Sequence, residues 1–216
     1  MLQSALKYLC LSSLLITVII SCSPTHKYTL RKTEVVRDSD IHSIVNKEHS
    51  LLFKAGISVY NKYYTGLIVL KQTDSITSHL VFITELGMKM FDFRIQNNQL
   101  KLMHVFEPLN KPKIVKLLES DLKLILLQNL FNKEAKVFEE KKGVNSMYQI
   151  TTGKLKNYYF INTNAKTVDK IIVKGKVFTK KKVNYIYNDS LNPVRIKLKH
   201  KGFIRLKIEL TNISTK

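Results

Sequence analysis

Residues 193–211 read Pro-Val-Arg-Ile-Lys-Leu-Lys-His-Lys-Gly-Phe-Ile-Arg-Leu-Lys-Ile-Glu-Leu-Thr, and their alternation decides the fold. Apolar residues fill every second position of 194–198 and again of 204–210, with charged residues between them. Because successive side chains of a strand point to opposite faces, this pattern predicts two strands with one buried and one solvated face. Residues 200–202 join them, so the two strands form an antiparallel hairpin.

The same β signal extends over most of the chain. Alternation and enrichment in β-branched or aromatic residues predict strands at 54–60, 64–72, 77–85, 88–95, 98–105, 135–140, 146–152, 156–162, 167–174, 176–187, 193–199 and 203–211. Short polar breaks separate the neighbours, and connections of that length join antiparallel strands.

Two segments depart from this pattern. Residues 113–131 carry apolar side chains at a spacing of three and four and follow Pro112, which predicts an amphipathic helix that packs on an apolar face. Residues 41–52 have a weaker helical spacing after Asp40, a suitable N-cap, and are interpreted as a short helix.

These elements predict a mainly β domain over residues 41–216. Sheets this wide curl or close, so we expect an incomplete antiparallel β-barrel of about eleven strands, covered by the inserted helix. If side chains do not fill the barrel, the helix becomes a lid over an apolar cavity.

The N-terminus indicates export and anchoring. Lys7, an apolar run from Leu9 to Ile20 and the small residue Ser21 have the order of a secretory signal. The run is interrupted by polar residues and is shorter than the about twenty apolar residues of a spanning helix. Because Cys22 follows directly, Ile19-Ile20-Ser21-Cys22 looks like the lipobox of bacterial lipoproteins. We therefore expect a signal peptide over 1–21, acylation of Cys22 and a lipidated flexible tether over 22–40.

Charge and cysteine content narrow the possible partners. The chain has 36 Lys and Arg against 16 Asp and Glu, a formal charge of +20, and loss of Lys7 with the signal leaves 35 − 16 = +19. No nucleic-acid motif accompanies this charge, which leaves an anionic membrane, an acidic protein or a solvated lysine-rich sheet face. The one cysteine beyond the signal, Cys22, allows neither an internal disulfide nor a cysteine-based metal site.

Motifs for catalysis, metals or cofactors do not occur in the sequence. The six histidines are scattered, and no HExxH, GxSxG, phosphate-binding loop or GxGxxG pattern is present. Two acidic pairs, Glu119 with Asp121 and Glu139 with Glu140, are interpreted as solvated charges. The sequence thus predicts a binding protein with no cofactor and no metal, not an enzyme.

Three stretches carry a resemblance to a known family: 55–59 (Ala-Gly-Ile-Ser-Val), 80–87 (Leu-Val-Phe-Ile-Thr-Glu-Leu-Gly), and 192–198 (Asn-Pro-Val-Arg-Ile-Lys-Leu) with 205–208 (Arg-Leu-Lys-Ile). Together they resemble the outer-membrane lipoprotein receptor LolB and, more broadly, the LolA/LolB-like half-barrel. The chain departs from that family in having Glu85 where the family usually has proline, and in lacking tryptophan.

The resemblance implies a function and a location. A protein of this family would receive the acyl chains of lipoproteins from a LolA-like periplasmic carrier and place them in the lipid of the outer membrane, on its periplasmic face. It would bind no nucleic acid. The loop Leu86-Gly87-Met88 matches the family's membrane-insertion loop.

Nine apolar residues are candidates for the lining of the lipid cavity, although each could instead be an ordinary core residue: Val59, Leu67, Val69, Phe82, Phe91, Phe93, Ile125, Ile196 and Leu206. A non-catalytic scaffolding lipoprotein of the envelope, or a carrier of another lipid or glycolipid, remains an alternative. A cavity of several hundred Å³ would favour a carrier and a filled barrel would favour a scaffold.

Overall fold

The computed structural model describes residues 27–44, 50–74, 76–97, 99–141, 143–201 and 206–214. The predicted signal peptide and Cys22 lie outside these residues. The strands are β1 (Tyr28–Val35), β2 (Leu51–Val59), β3 (Lys62–Gln72), β4 (Thr77–Thr84), β5 (Lys89–Gln96), β6 (Gln99–Val105), β7 (Glu134–Glu140), β8 (Asn145–Thr152), β9 (Leu155–Asn162), β10 (Thr167–Lys174), β11 (Thr179–Tyr187), β12 (Pro193–His200) and β13 (Leu206–Asn212).

All strands of the described residues belong to one antiparallel sheet. Its order is β1-β7-β8-β9-β10-β11-β12-β13-β2-β3-β4-β5-β6, with β1 and β6 at the two edges. The hairpin from which the fold was inferred pairs Leu198 with Ile208, and both side chains are buried. The predicted fold class, a mainly β open barrel with one helix, is confirmed, with thirteen strands in place of about eleven.

The structure corrects the predicted tether over 22–40 and the short helix over 41–52. Residues Tyr28–Val35 form edge strand β1, which pairs with β7. Most of its side chains are exposed, so it lacks the apolar alternation that reveals the other strands. Residues 41–44 are not helical and Leu51 already begins β2; residues 45–49 lie outside the described part.

The inserted helix α1 (Pro112–Ile125) is shorter than predicted. Its last residue is Ile125, Leu126 caps it, and Leu127 takes a left-handed backbone conformation with φ of 60°. The following residues stay buried in turns, Leu130 and Phe131 among them. Their apolar spacing therefore reflects burial and not helix. In the part of the chain that the structure describes, no helix is long and apolar enough to span a membrane.

Two sets of contacts hold α1 against the inner face of the sheet. Asp121 is fully buried, 2.6 Å from the Lys181 ammonium on β11 and 2.7 Å from His200 Nε2 on β12. The Tyr185 hydroxyl, also on β11, donates to the carbonyl of Ile125 at 3.0 Å. Both contacts tie the C-terminal half of α1 to the middle of the sheet, across one half of its inner face.

Because the strands are antiparallel, their turns alternate between two ends of the sheet. We call the end with the β2–β3, β4–β5, β8–β9 and β10–β11 turns the Leu86 end. We call the end with the β3–β4, β5–β6, β7–β8, β9–β10 and β11–β12 turns the cavity end.

Candidate functional site

A cavity of about 990 Å³ lies at the cavity end of the sheet. The ends of strands β3, β4, β5, β11 and β12 surround it, together with two segments that cross the inner face, residues 38–44 and 126–132. Its volume is at the upper end of the about 300–1,000 Å³ usual for small-molecule sites. The cavity is therefore large enough to hold a sizeable ligand.

The end of α1 leaves this space open. The helix covers the half of the inner face nearer the Leu86 end, through the contacts of Asp121. After Leu126 the chain leaves the helical path and its turns form one wall of the cavity. That wall and the surrounding strands and loops contribute apolar side chains to the lining: Leu126, Phe131, Ile44, Ile76, Ile95 and Leu191.

Polar groups line the same cavity, and one of them is exceptional. The side chain of Gln128 is 7% exposed, and neither its amide nitrogen nor its amide oxygen has a hydrogen-bond partner among the described residues. Gln72 also leaves its amide oxygen without a partner there, while its amide nitrogen donates to the Asp74 carbonyl at 2.8 Å. A buried polar group without a partner costs about 1–3 kcal/mol, and because both amide atoms of Gln128 are closed off from solvent, a ligand would bond to them only after the side chain turned toward the cavity.

The rim of the cavity is fixed by local hydrogen bonds. Asp74 accepts from the backbone N–H of Ile76 at 2.9 Å and of Thr77 at 2.7 Å. The Ile76 bond lowers the pKa of the Asp74 carboxyl below its ordinary value, so it stays ionised at neutral pH. On the facing side the Tyr187 hydroxyl donates to the Val168 carbonyl at 3.0 Å, and burial raises the pKa of Tyr187.

None of the nine predicted cavity residues lines this cavity. Seven of them are buried in the packed core: Val59, Phe82, Phe91, Phe93, Ile125, Ile196 and Leu206. Leu67 and Val69 lie on the outer face, because Ile68 and Leu70 occupy the inner one, and Leu67 is exposed. Large aromatic and branched side chains fill the sheet beneath α1, and contact of these nine residues with a lipid stays a prediction.

Sequence reasoning missed Gln128. The only signal for it is that Gln128 and Asn129 interrupt a run of buried apolar residues from Leu124 to Phe131. A polar residue within such a run lies either in solvent or in a polar recess, and the sequence alone does not distinguish the two. The chain turns after Leu126 and directs the position inward.

The predicted insertion loop is an exposed turn. Leu86 is 93% exposed and Met88 is also exposed. The Gly87 N–H donates to the Thr84 carbonyl at 2.9 Å and the Met88 N–H to the Thr84 hydroxyl at 3.1 Å, which closes the turn and leaves Leu86 at its tip. Gly87 has φ of 80°, a conformation that glycine adopts without strain. Insertion of this loop into a membrane stays a prediction.

The side chains of the two acidic pairs each have a partner in the structure. Glu119 pairs with Lys123, Glu139 with Arg31, and Glu140 accepts from the Asn145 amide. Asp121 was expected to be solvated and is instead fully buried between Lys181 and His200. Within the described residues no group of three or more His, Cys, Asp or Glu is arranged to hold a metal ion.

An open antiparallel sheet with a helix across its inner face and a cavity beside that helix defines a half-barrel. No family model and no curated protein matches the chain. Among solved structures, a LolA superfamily protein from Nitrosomonas europaea is similar, with 9% identity, 83% of this chain and 92% of that chain covered, and a TM-score of 0.50. The fold is therefore LolA-like.

Two further structures align less closely. One is a DUF1329 family protein from Desulfovibrio piger, with 12% identity, coverage of 79% of this chain and 86% of that one, and a TM-score of 0.40. The other is a putative outer membrane lipoprotein-sorting protein domain from Vibrio parahaemolyticus, with 7% identity, coverage of 82% and 87%, and a TM-score of 0.40.

Proposed function

We propose that the protein is a lipid-binding lipoprotein of the bacterial envelope that holds an acylated ligand in the cavity and passes it to a membrane. The observation that carries the proposal is the cavity itself, whose lining combines apolar side chains such as Leu126 and Phe131 with many polar ones, Gln128 among them. The LolA-like fold supports it, since the LolA/LolB resemblance of the sequence implies the same task. Acylation of Cys22 would keep the protein at the membrane.

The chemistry of the cavity favours an amphiphile over a bare hydrocarbon. Each buried CH₂ group of an acyl chain contributes about 0.8 kcal/mol, which the walls around Leu126 and Phe131 can supply. The ester or amide that joins acyl chains to a lipid or to an acylated cysteine offers carbonyl oxygens, and an amide also offers an N–H. Once its side chain turns toward the cavity, Gln128 can donate to the first and accept from the second.

The specific role that we propose is that of a LolB-like acceptor. The protein would take acylated lipoproteins from a periplasmic LolA-like carrier and release them into the outer membrane. Release requires only that the bilayer hold the acyl chains more tightly than the cavity does, so the step needs no catalytic group. The exposed Leu86 turn is the part that would enter the bilayer.

The cavity also favours a carrier over a scaffolding lipoprotein. A scaffold has no use for a cavity of about 990 Å³. A carrier and a scaffold could both have the packed core beneath α1. The open half of the inner face is the feature that favours a carrier.

Replacement of Gln128 by leucine tests this function. Because Gln128 is buried without a described partner, Gln128→Leu should either leave the free energy of unfolding unchanged or raise it by up to about 1 kcal/mol. The same change should weaken binding of a fluorescent diacyl lipid about fivefold to tenfold, since one hydrogen bond to a carbonyl is lost. Fluorescence titration of the chain from residue 22 with Cys22→Ser, free of its own lipid, measures the affinity.

Gln149→Leu is the matched control, since Gln149 is a partly buried glutamine on β8 outside the cavity. It should leave the affinity within about twofold of the parent, well below one lost hydrogen bond. If binding is saturable but unaffected by Gln128→Leu, the glutamine is not part of the site. If the parent protein shows no saturable binding at all, the proposed function is contradicted.

A further inference from the structure

The Leu86 end carries the most exposed apolar side chains of the described residues. These are Leu86, Phe178, Val177 and Tyr63, with exposures of 93, 72, 70 and 66%. Leu86, Val177 and Phe178 come from two turns that the alternation of antiparallel strands brings to one end of the sheet, whereas Tyr63 is the second residue of β3 and its ring lies along the outer face, with its hydroxyl over Gly56. Large exposed apolar residues gathered at one end of a molecule indicate an interaction surface.

The β10–β11 turn presents Val177 and Phe178 at its tip. The Gly175 N–H donates to the Phe178 carbonyl at 2.9 Å, which closes the turn over Lys176 and Val177. Next to it, the Lys201 N–H donates to the Lys180 carbonyl at 2.8 Å and joins the base of the turn to the neighbouring strand. The turn is therefore fixed at its base, and its two apolar side chains remain in solvent.

The charge of the two ends differs strongly. Within two residues of its four turns, the Leu86 end has seven lysines and one acidic residue, Glu85, a net charge of +6. Three of the lysines, Lys174, Lys176 and Lys180, belong to the β10–β11 turn. Counted in the same way along the sequence, the five turns of the cavity end have four lysines and four acidic residues, a net charge of 0.

The spacing of the tips suits a flat partner. The β4–β5 and β10–β11 turns are six strands apart in the sheet, about 29 Å along its curved edge at about 4.8 Å per strand, and Tyr63 lies between them. The two apolar tips at this distance can meet a plane at once. Cations around apolar tips match an anionic bilayer, in which apolar side chains enter the interface and each nearby lysine contributes about 1 kcal/mol.

We propose that the Leu86 end docks on an anionic lipid bilayer through two insertion points, Leu86 and the Val177–Phe178 tip, with the surrounding lysines on the head groups. The inference builds on the proposed membrane role and extends it, because the β10–β11 turn becomes a second membrane anchor that Leu86 alone would not provide. It does not depend on the contents of the cavity at the opposite end.

The absence of tryptophan from the chain allows a direct test. Phe178→Trp places a single fluorophore at the proposed insertion point and keeps the aromatic character of the tip. Val144→Trp is the matched control, because Val144 is 59% exposed in the β7–β8 turn at the cavity end. Both are made in the chain from residue 22 with Cys22→Ser, so that no lipid anchor contributes.

With vesicles that contain phosphatidylglycerol, the emission of the Phe178→Trp variant should shift to the blue and be quenched by brominated acyl chains. The Val144→Trp variant should show neither effect. Both effects at position 178 should weaken with neutral phosphatidylcholine vesicles and at high salt, where lysine contacts are screened. Phe178→Glu should lower vesicle binding about tenfold relative to Val144→Glu, because a charge replaces an inserted ring.

The proposal would be overturned if the blue shift and quenching were equal for tryptophan at positions 178 and 144, or if neither occurred at position 178. Binding to anionic vesicles with no quenching at 178 would also overturn it, since the tip would then lie outside the bilayer and lysines alone would bind. Binding of the diacyl lipid in solution is measured separately from vesicle docking. If docking fails, the lipid titration still tests the proposed function of the cavity.

Discussion

At the scale of single residues, Asp121 illustrates how a charged side chain can serve the fold instead of chemistry. It faces the core from α1, and its two oxygens are bonded to Lys181 and His200 on neighbouring strands. The sequence placed it on a helix but could not reveal these partners, which are 60 and 79 positions away. Periodicity reports which residues share a face, and it carries no information on pairing across the fold.

We predict that Asp121→Ala lowers the free energy of unfolding by about 3–5 kcal/mol, because it leaves Lys181 and His200 buried without their anion. The control is Glu119→Ala on the same helix. It removes only a more exposed pair with Lys123 and should cost about 0.5 kcal/mol. Chemical denaturation measures both, and equal losses would show that the Asp121 pairs do not hold α1 to the sheet.

At the scale of elements, the strands with apolar alternation were predictable and the edge strand was not. Strands β2–β13 match the twelve predicted segments, because each has a face against the core. Strand β1 is held mainly by its backbone pairing with β7 and has few buried side chains. Its sequence is therefore free to be polar, and nothing in its pattern distinguishes it from a tether.

The pairing of β3 with β4 depends on Gly66. A Cβ atom there would lie 2.0 Å from the Ile83 carbonyl oxygen, a backbone atom that cannot move without opening the pair. We predict that Gly66→Ala lowers the free energy of unfolding by about 2 kcal/mol or more. Thermal and urea unfolding measure the change.

Gly56 on β2 is the matched position for this test. A Cβ there would meet the hydroxyl of Tyr63, the far end of a side chain that can move aside. Gly56→Ala should therefore cost less than about 1 kcal/mol. If the two alanine variants were equally stable, the close approach of β3 and β4 at Gly66 would not be a constraint of the fold.

At the scale of the whole molecule, the two ends of the sheet differ in kind. One end has the cavity and nearly balanced charge, and the other has exposed apolar tips surrounded by lysines. The fold class followed from the sequence because alternation specifies a sheet. The cavity did not, because its position depends on where α1 ends and how the next residues turn.

Strand β1 also limits how the molecule can stand on a membrane. It begins at Tyr28, at the cavity end, and its eight residues span about 26 Å. With Cys22 acylated, the five positions from Cys22 to Lys27 can reach about 17 Å at most. If Cys22 is acylated and the Leu86 end docks as proposed, the start of β1 would stay near the bilayer and the half-barrel would lean toward its β1 edge.

The central claim is that the cavity beside α1 holds an acylated ligand, and photo-cross-linking tests it most directly. A diacyl lipid that carries a photoreactive group in one acyl chain is bound to the protein that begins at residue 22 and has Cys22→Ser. The complex is then irradiated, and the adducts are located by mass spectrometry. We predict adducts in the segments 126–132 and 187–193, which line the cavity, and competition by unlabelled lipid. Adducts confined to the outer face or to the Leu86 end, or adducts that excess lipid does not displace, would contradict the account.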